Sequence, residues 1–404
     1  MNIYTSTNGH KNLPRYFALV FASLKALQRG ILELELTDGR VFRVKGPQAG
    51  KYARVVSLDD TIWARLIREG DAGFTDGYLE GQWVTPDLQA FLDVVFDNFL
   101  EISKKYPGAA ILRAYERLRH WMKRNTKEQA KRNIAYHYDL GNDFYGKWLD
   151  DTMTYSSALF ITGQESLEKA QMQKYASICD LMGMKHDDHL LEIGCGWGGF
   201  AEYAAGQRGA TLKCLTLSKE QHDYAKERMF NAGLADRVDI VLQDYRDEVG
   251  HYDGIASIEM FEAVGEKYWP SYFKTVHDCL LPNKQAAIQV ITMADHLFED
   301  YRKNIDFIQK HIFPGGMLPS PTVLRKQINN AGLEFCGSIE FAKSYSQTLR
   351  RWYHTFNDKW SEIADMNFDK RFFNMWNFYL TSCASGFEYG TTDVTQITMR
   401  RSSL

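Results

Sequence analysis

The stretch Leu190-Leu191-Glu192-Ile193-Gly194-Cys195-Gly196-Trp197-Gly198-Gly199 decides how the rest of the chain is read. Four residues of a buried-type strand run into glycines at 194, 196 and 198, which permit a tight turn and close backbone approach to a ligand. A helix starting near Gly199 would offer its unpaired first-turn N–H groups to that ligand. Dinucleotide enzymes use a related loop, so the glycines alone leave the ligand open. Glu192, two residues before the first glycine, suits a cationic or amine-bearing cofactor better than a pyrophosphate. The second strand ends in Thr216-Leu217-Ser218, without the terminal acid that a dinucleotide ribose would want.

Outward from the loop, strand and helix alternate. Strands are predicted at His189 to Ile193, Thr211 to Leu217, Val238 to Leu242, Gly254 to Ile258 and Ala286 to Thr292, with helices at Phe200 to Gln207 and Glu220 to Asn231. This spacing is that of an α/β sheet covered by helices on both faces. Ligands of such sheets bind at the carboxyl ends of the strands. There stand Gln243-Asp244-Tyr245, suited to an adenine amino group and ring face, and Glu259-Met260-Phe261-Glu262, whose carboxylates either serve a site or cap helices.

Before residue 125 the pattern differs. Leu32, Leu34 and Leu36 alternate with Glu33 and Glu35, and Asp38-Gly39 turns the chain towards Val41, Phe42 and Val44. Asp60 to Glu69 reads as a helix, Gly70 to Trp83, with its glycines, as a loop-rich crossing, and the segment after Pro86 as helical again. Phe17, Val20, Phe21, Leu24 and Leu27 share one side of a helix, fit either for core packing or for peripheral membrane contact. A boundary is placed where apolar periodicity fades, giving a small N-terminal α+β accessory domain over 1–124 and a catalytic domain over 125–404.

Composition narrows the functional classes. Forty-eight Lys and Arg against fifty-one Asp and Glu give a formal charge of -3, which does not suggest a nucleic-acid partner. Arg113 to Arg132 is locally basic, a stretch that suits either an anionic lipid surface or a solvated helix. No run of eighteen apolar residues is present. The six cysteines form no CxxC pair, and no His, Cys or Asp cluster has metal-ligand spacing, so no metal and a reduced, cytoplasmic setting are expected.

Taken in order, His137 to Tyr145, Thr154-Tyr155-Ser156, the Glu192 to Gly199 loop, Thr216 to Gln221, Gln243 to Asp247, Met260-Phe261-Glu262, Ile312 to Gly316 and Leu318-Pro319-Ser320 resemble the cyclopropane fatty acid synthase family and its mycolic-acid-modifying relatives. Gly70-Asp71 through Gly81-Gln82-Trp83 resembles the accessory domain of the longer bacterial members. The resemblance implies a Rossmann-like class I S-adenosylmethionine-dependent methyltransferase fold. It also implies methyl transfer to the double bond of an unsaturated acyl chain of a membrane phospholipid. The enzyme would work peripherally at the inner face of the membrane, with a homodimer allowed for.

By the same resemblance, Tyr155 and Ser156 hold the amino-acid end of the cofactor. Glu192, Gly194, Gly196 and Gly198 form its cradle, Thr216 and Gln221 lie near the ribose, and Asp244 and Tyr245 border the adenine. The family removes a proton from the transferred methyl with a bound bicarbonate, held by a Cys, a Glu, a His and a Tyr. Glu262 and Tyr345 match two of these positions, whereas Ser157 and Gln289 stand where the cysteine and histidine are expected. Either residue still donates a hydrogen bond, but neither carries charge. The product is therefore a cyclopropane or a methyl- or methylene-branched chain, according to where the base stands. Phe313, Met317, Phe368, Phe372, Phe373, Trp376, Phe378 and Tyr379 suit an acyl pocket or a helical core. A methyltransferase of a small amine or polyketide-like compound, and a lipid-binding protein without activity, are the competing readings.

Overall fold

The computed structural model describes residues 2–103, 140–303 and 306–403. The basic run, the boundary at 124/125 and His137 to Asp139 lie outside the described residues.

Two compact units emerge, and neither is continuous in sequence. The N-terminal segment is joined by Lys303–His311 and Asn367–Tyr389, while the intervening segments and Gly390–Leu404 make up the other unit. In the first unit, strands β1 (Ile3–Tyr4), β2 (Arg29–Glu35), β3 (Val41–Lys45), β4 (Gln48–Ser57) and β5 (Trp83–Val84) form a sheet in the order β1-β3-β2-β4-β5. Leu32, Leu34, Phe42 and Val55 pack against Phe17, Val20, Phe21 and Trp63. The apolar stripe of the helix Phe17–Leu24 is thus spent on the core.

Two sequence expectations change in this unit. The glycine-rich crossing is helical: the helix Ile62–Leu79 continues through it, with non-helical backbone only at Gly70. Glycine is costly in a helix, but a Cβ at Gly73 or Gly77 would stand 2.4 Å from the side chains of Glu69 and Ile62 respectively, so packing demands it. The aromatic helix Lys370–Glu388 also belongs here, where Phe378 contacts Tyr78 and Phe307.

The second unit is a seven-stranded sheet of β6 (His189–Ile193), β7 (Thr211–Thr216), β8 (Val238–Leu242), β9 (Tyr252–Ile258), β10 (Leu280–Met293), β11 (Leu333–Glu340) and β12 (Thr392–Arg401). Their order is β11-β12-β10-β9-β6-β7-β8. Strands β10, β9, β6, β7 and β8 are parallel, and β12 runs against both its neighbours. The five expected strands are present; β11 and β12 were not anticipated. Register places Gln289 opposite Ile258 on one side and Gln396 on the other, which sets up the site below.

Candidate functional site

One cavity at the carboxyl ends of β6, β7, β8 and β9 brings together Tyr155, Ser156, Glu192, Gly194, Gly196, Thr216, Gln221, Asp244 and Tyr245. Gly194, Gly196 and Gly198 all have φ between 52° and 85°, the left-handed region that glycine enters without strain. A Cβ on Gly194 would lie 2.6 Å from the Met260 side chain, whereas one on Gly196 would meet open space. Gly198 lies apart from the lining; its bare Cα lets the loop pack on Ala225 and Met229. Asn142, from the His137 to Tyr145 motif, accepts a 2.7 Å hydrogen bond from the Trp197 indole and ties that segment to the loop.

The polar lining is ordered by its own contacts. Thr216 Oγ1 donates to Gln221 Oε1 at 3.2 Å, and Ser218 caps the helix Lys219–Asn231. Asp244 takes a bidentate pair from Arg246 at 2.8 and 2.6 Å, and burial pushes the Tyr245 phenol up to about 12. Ser156 Oγ accepts from the Lys174 ammonium at 2.7 Å. Lys174 is fully buried, and that burial lowers its pKa to about 7 against the pull of Glu259, Asp150 and Glu192.

Glu192 supplies the test of cofactor fit. It is 2% exposed, it lines the cavity, and its Oε2 has no hydrogen-bond partner among the described residues. Burial raises its pKa to about 7, with the Cys214 thiol and the Lys174 charge pulling the other way. An orphaned buried carboxylate oxygen beside open glycine backbone fits a ligand that brings N–H or O–H donors and positive charge.

The residues expected around an external anion converge elsewhere than anticipated. Glu259 Oε1 accepts the Ser157 backbone N–H and the Gln289 side-chain amide, each at 2.8 Å, and Glu259 Oε2 accepts the Tyr345 hydroxyl at 2.6 Å. Gln396 donates to Gln289 Oε1 at 3.0 Å, which settles which end of that amide faces the carboxylate. The Ser157 hydroxyl donates instead to Ala158 O. Three of the four residues expected around a bicarbonate thus converge on a carboxylate of the chain itself.

Glu262, expected at the centre, stands beside this cluster. Its Oε1 accepts the Ile291 N–H at 2.5 Å, and its Oε2 has no partner among the described residues. Burial, reinforced by the negative charge of Glu259, raises its pKa to about 8. The Pro314-Gly315-Gly316 turn leads into Met317, whose N–H donates to the Glu262 carbonyl at 2.8 Å.

Sequence reasoning placed Glu259 at the rim as a carboxylate that serves a site or caps a helix, without setting it at the centre of the cluster, and it missed Lys174 as a site group. Lys174 was recoverable: on the helix Leu167–Leu181 it shares the buried positions of Ala170, Gln171, Ile178 and Cys179, where an ammonium needs a partner. It also missed Trp352, whose ring packs 5.5 Å from Tyr155 and 6.3 Å from Tyr345.

The sheet order, the glycine loop after β6 and the buried acid at its end define a class I S-adenosylmethionine-dependent methyltransferase. Residues 125–397 match the model of the family described as mycolic acid cyclopropane synthetase, and the chain belongs to that family. A tuberculostearic acid methyltransferase of Mycobacterium tuberculosis is 36% identical over 92% of this chain and 88% of its own. A cyclopropane-fatty-acyl-phospholipid synthase of Escherichia coli is 34% identical over 84% and 86%. Among solved structures, a cyclopropane synthase from M. tuberculosis superposes with a TM-score of 0.63 at 28% identity, over 67% of this chain and 98% of its own. A mycolic acid cyclopropane synthase complexed with SAH and CTAB gives 0.64 at 27% identity over the same shares.

Proposed function

We propose that this methyltransferase alkylates the double bond of an unsaturated acyl chain in a membrane phospholipid. One observation carries the reading: a half-buried carboxylate, Glu259, lines the cofactor cavity together with Tyr155, and Trp352 packs against both Tyr155 and Tyr345, whose hydroxyl donates to Glu259. An alkene offers no group to hydrogen-bond, so its recognition falls to apolar surface. Positive charge gained by the chain during alkylation is favoured by ring faces and nearby carboxylates. The names of the M. tuberculosis and E. coli relatives, which span most of this chain, support the same substrate class.

In this reading bound S-adenosylmethionine supplies an electrophilic methyl on a sulfonium centre. Glu192 Oε2 takes up donors from the cofactor, and the Tyr155-Ser156 segment, anchored by Lys174, holds its amino-acid end. Thr216 and Gln221 border the ribose, while Asp244 and Tyr245 border the adenine. Gln289 and Tyr345 orient the acid at the far end, and Glu262, neutral near pH 7, limits the negative charge there. A ring follows if the proton leaves the new methyl, and a branched alkene if it leaves a neighbouring chain carbon. No helix among the described residues is long and apolar enough to cross a membrane, so the enzyme would meet its lipid from the surface.

The test is incubation with unsaturated phospholipid vesicles and methyl-labelled cofactor, followed by mass spectrometry of the acyl chains and proton resonance to separate ring from branch. Label in the acyl chain is expected. Cofactor binding without any labelled lipid would overturn the substrate assignment.

A further inference from the structure

We infer that Glu259 is the general base of this enzyme, a resident carboxylate that does the work of a captured anion. The inference rests on the acyl-chain reading above and deepens it. Three features of the site carry it.

Glu259 alone of the hydrogen-bonded cluster lines the cofactor cavity: Ser157, Gln289 and Tyr345 hold it from behind. A carboxylate has about four acceptor positions. Ser157 and Gln289 occupy two on Oε1 and Tyr345 one on Oε2, so Oε2 retains a position for an incoming proton.

The backbone at Glu259 is also held in an unfavourable conformation. Its φ is 50°, a left-handed value that a side-chain-bearing residue rarely adopts. The Gln289 carbonyl locks it there by accepting the Glu259 N–H at 2.8 Å. Such strain persists where the surrounding structure enforces it, and it is concentrated at sites of chemistry. A helix-capping glutamate would need none of this. The 3-10 turn that follows, Phe261–Ala263, receives no side-chain cap, and Glu259 gives its oxygens to distant elements instead.

Finally, the charges are arranged for proton uptake. Burial raises the Glu259 pKa, opposed by its three donors and by Lys174, while Glu262 next to it is largely neutral at pH 7. The proton on Glu262 spares Glu259 a second negative charge beside it.

The step balances without any further reactant. A bond forms between the transferred methyl carbon and one alkene carbon while the carbon–sulfur bond breaks, leaving the other alkene carbon electron-deficient. Glu259 then takes a proton from an adjacent C–H, whose electron pair closes the new carbon–carbon bond or forms the new double bond. The neutral Glu259 returns its proton to water through the cavity.

The experiment compares wild type, Glu259→Gln and Glu259→Gly on labelled lipid in carbon-dioxide-depleted buffer, with sodium bicarbonate as the added probe. Glycine suits the positive φ, so the second variant relieves backbone strain as it removes the carboxylate. Wild-type turnover is expected to be indifferent to bicarbonate. Glu259→Gln should lose roughly 100-fold in kcat or more, the usual scale of a general base, while binding cofactor within about threefold of wild type. Millimolar bicarbonate should raise turnover of Glu259→Gly about tenfold or more, which a merely structural role would not produce. Collapse of wild-type turnover in depleted buffer, or undiminished turnover of Glu259→Gln, would overturn the assignment. Failure of the acyl-chain reading shows differently, as absence of label in the wild-type lipid.

Discussion

Glu192 and Glu259 line the same cavity, yet they are prepared for opposite tasks. Glu192 ends a regular parallel strand, relaxed in backbone, with one oxygen left without a partner. Glu259 follows the next strand over in a left-handed conformation, with both oxygens engaged by donors from three other segments. A buried carboxylate with an unmet oxygen is incomplete without a ligand, so its free energy is recovered on binding. One already satisfied gains little from binding; its surroundings instead fix its position and proton affinity, which are what a reaction step requires.

The largest break in this comparison should come from the cofactor end without touching either acid. Gly194→Val puts a branched side chain into Met260 at a φ of 85°, and calorimetry should show cofactor affinity reduced by roughly 100-fold or more. Glu192→Gln is expected to weaken cofactor binding about tenfold, or ~1.4 kcal/mol, with kcat at saturation nearly kept. Glu259→Gln should show the reverse division, so similar KM and kcat effects in the two variants would erase the distinction drawn here.

Proton linkage sharpens it further. With the Glu192 pKa near 7 before cofactor arrives, affinity for a cationic ligand should rise several-fold as pH increases through 7, and Glu192→Gln should flatten that profile in titrations at several pH values. Glu262, raised to about 8, binds its proton more tightly folded than unfolded. Its contribution to stability is therefore greatest in acid and is lost as pH climbs from its ordinary range through 8. Glu262→Gln should remove that slope, a change of a few degrees in Tm by calorimetry of the ligand-free protein. The smallest effect belongs to Ser157→Ala, about threefold in kcat, because Glu259 is held by the backbone N–H there and not by the hydroxyl.

Much of the fold was legible because burial repeats with local period. The five parallel strands are short apolar runs, and the glycine loop follows the first of them. Strand β12 was missed for a physical reason: Thr395, Gln396 and Thr398 are buried in it, and a polar run reads as loop unless its partners are known. Gln396 meets Gln289 only through antiparallel register. The helix Ile62–Leu79 was misread because its glycines answer to close packing, which propensity does not record.

The sequence by itself made a ligand-binding loop legible, since Glu192 to Gly199 carries its turn, its open backbone and its acid within a single strand–loop–helix, and the ordered motifs around it pointed to a methyl donor. Which of the two neighbouring carboxylates commands the other end was decided only by tertiary structure. Glu259 and Glu262 lie three residues apart with similar local prospects, but the donors that separate them come from Ser157, Gln289 and Tyr345, which are 102, 30 and 86 residues away along the chain. Hydrogen bonds of that span are set by strand order and register, and those are properties of the assembled sheet.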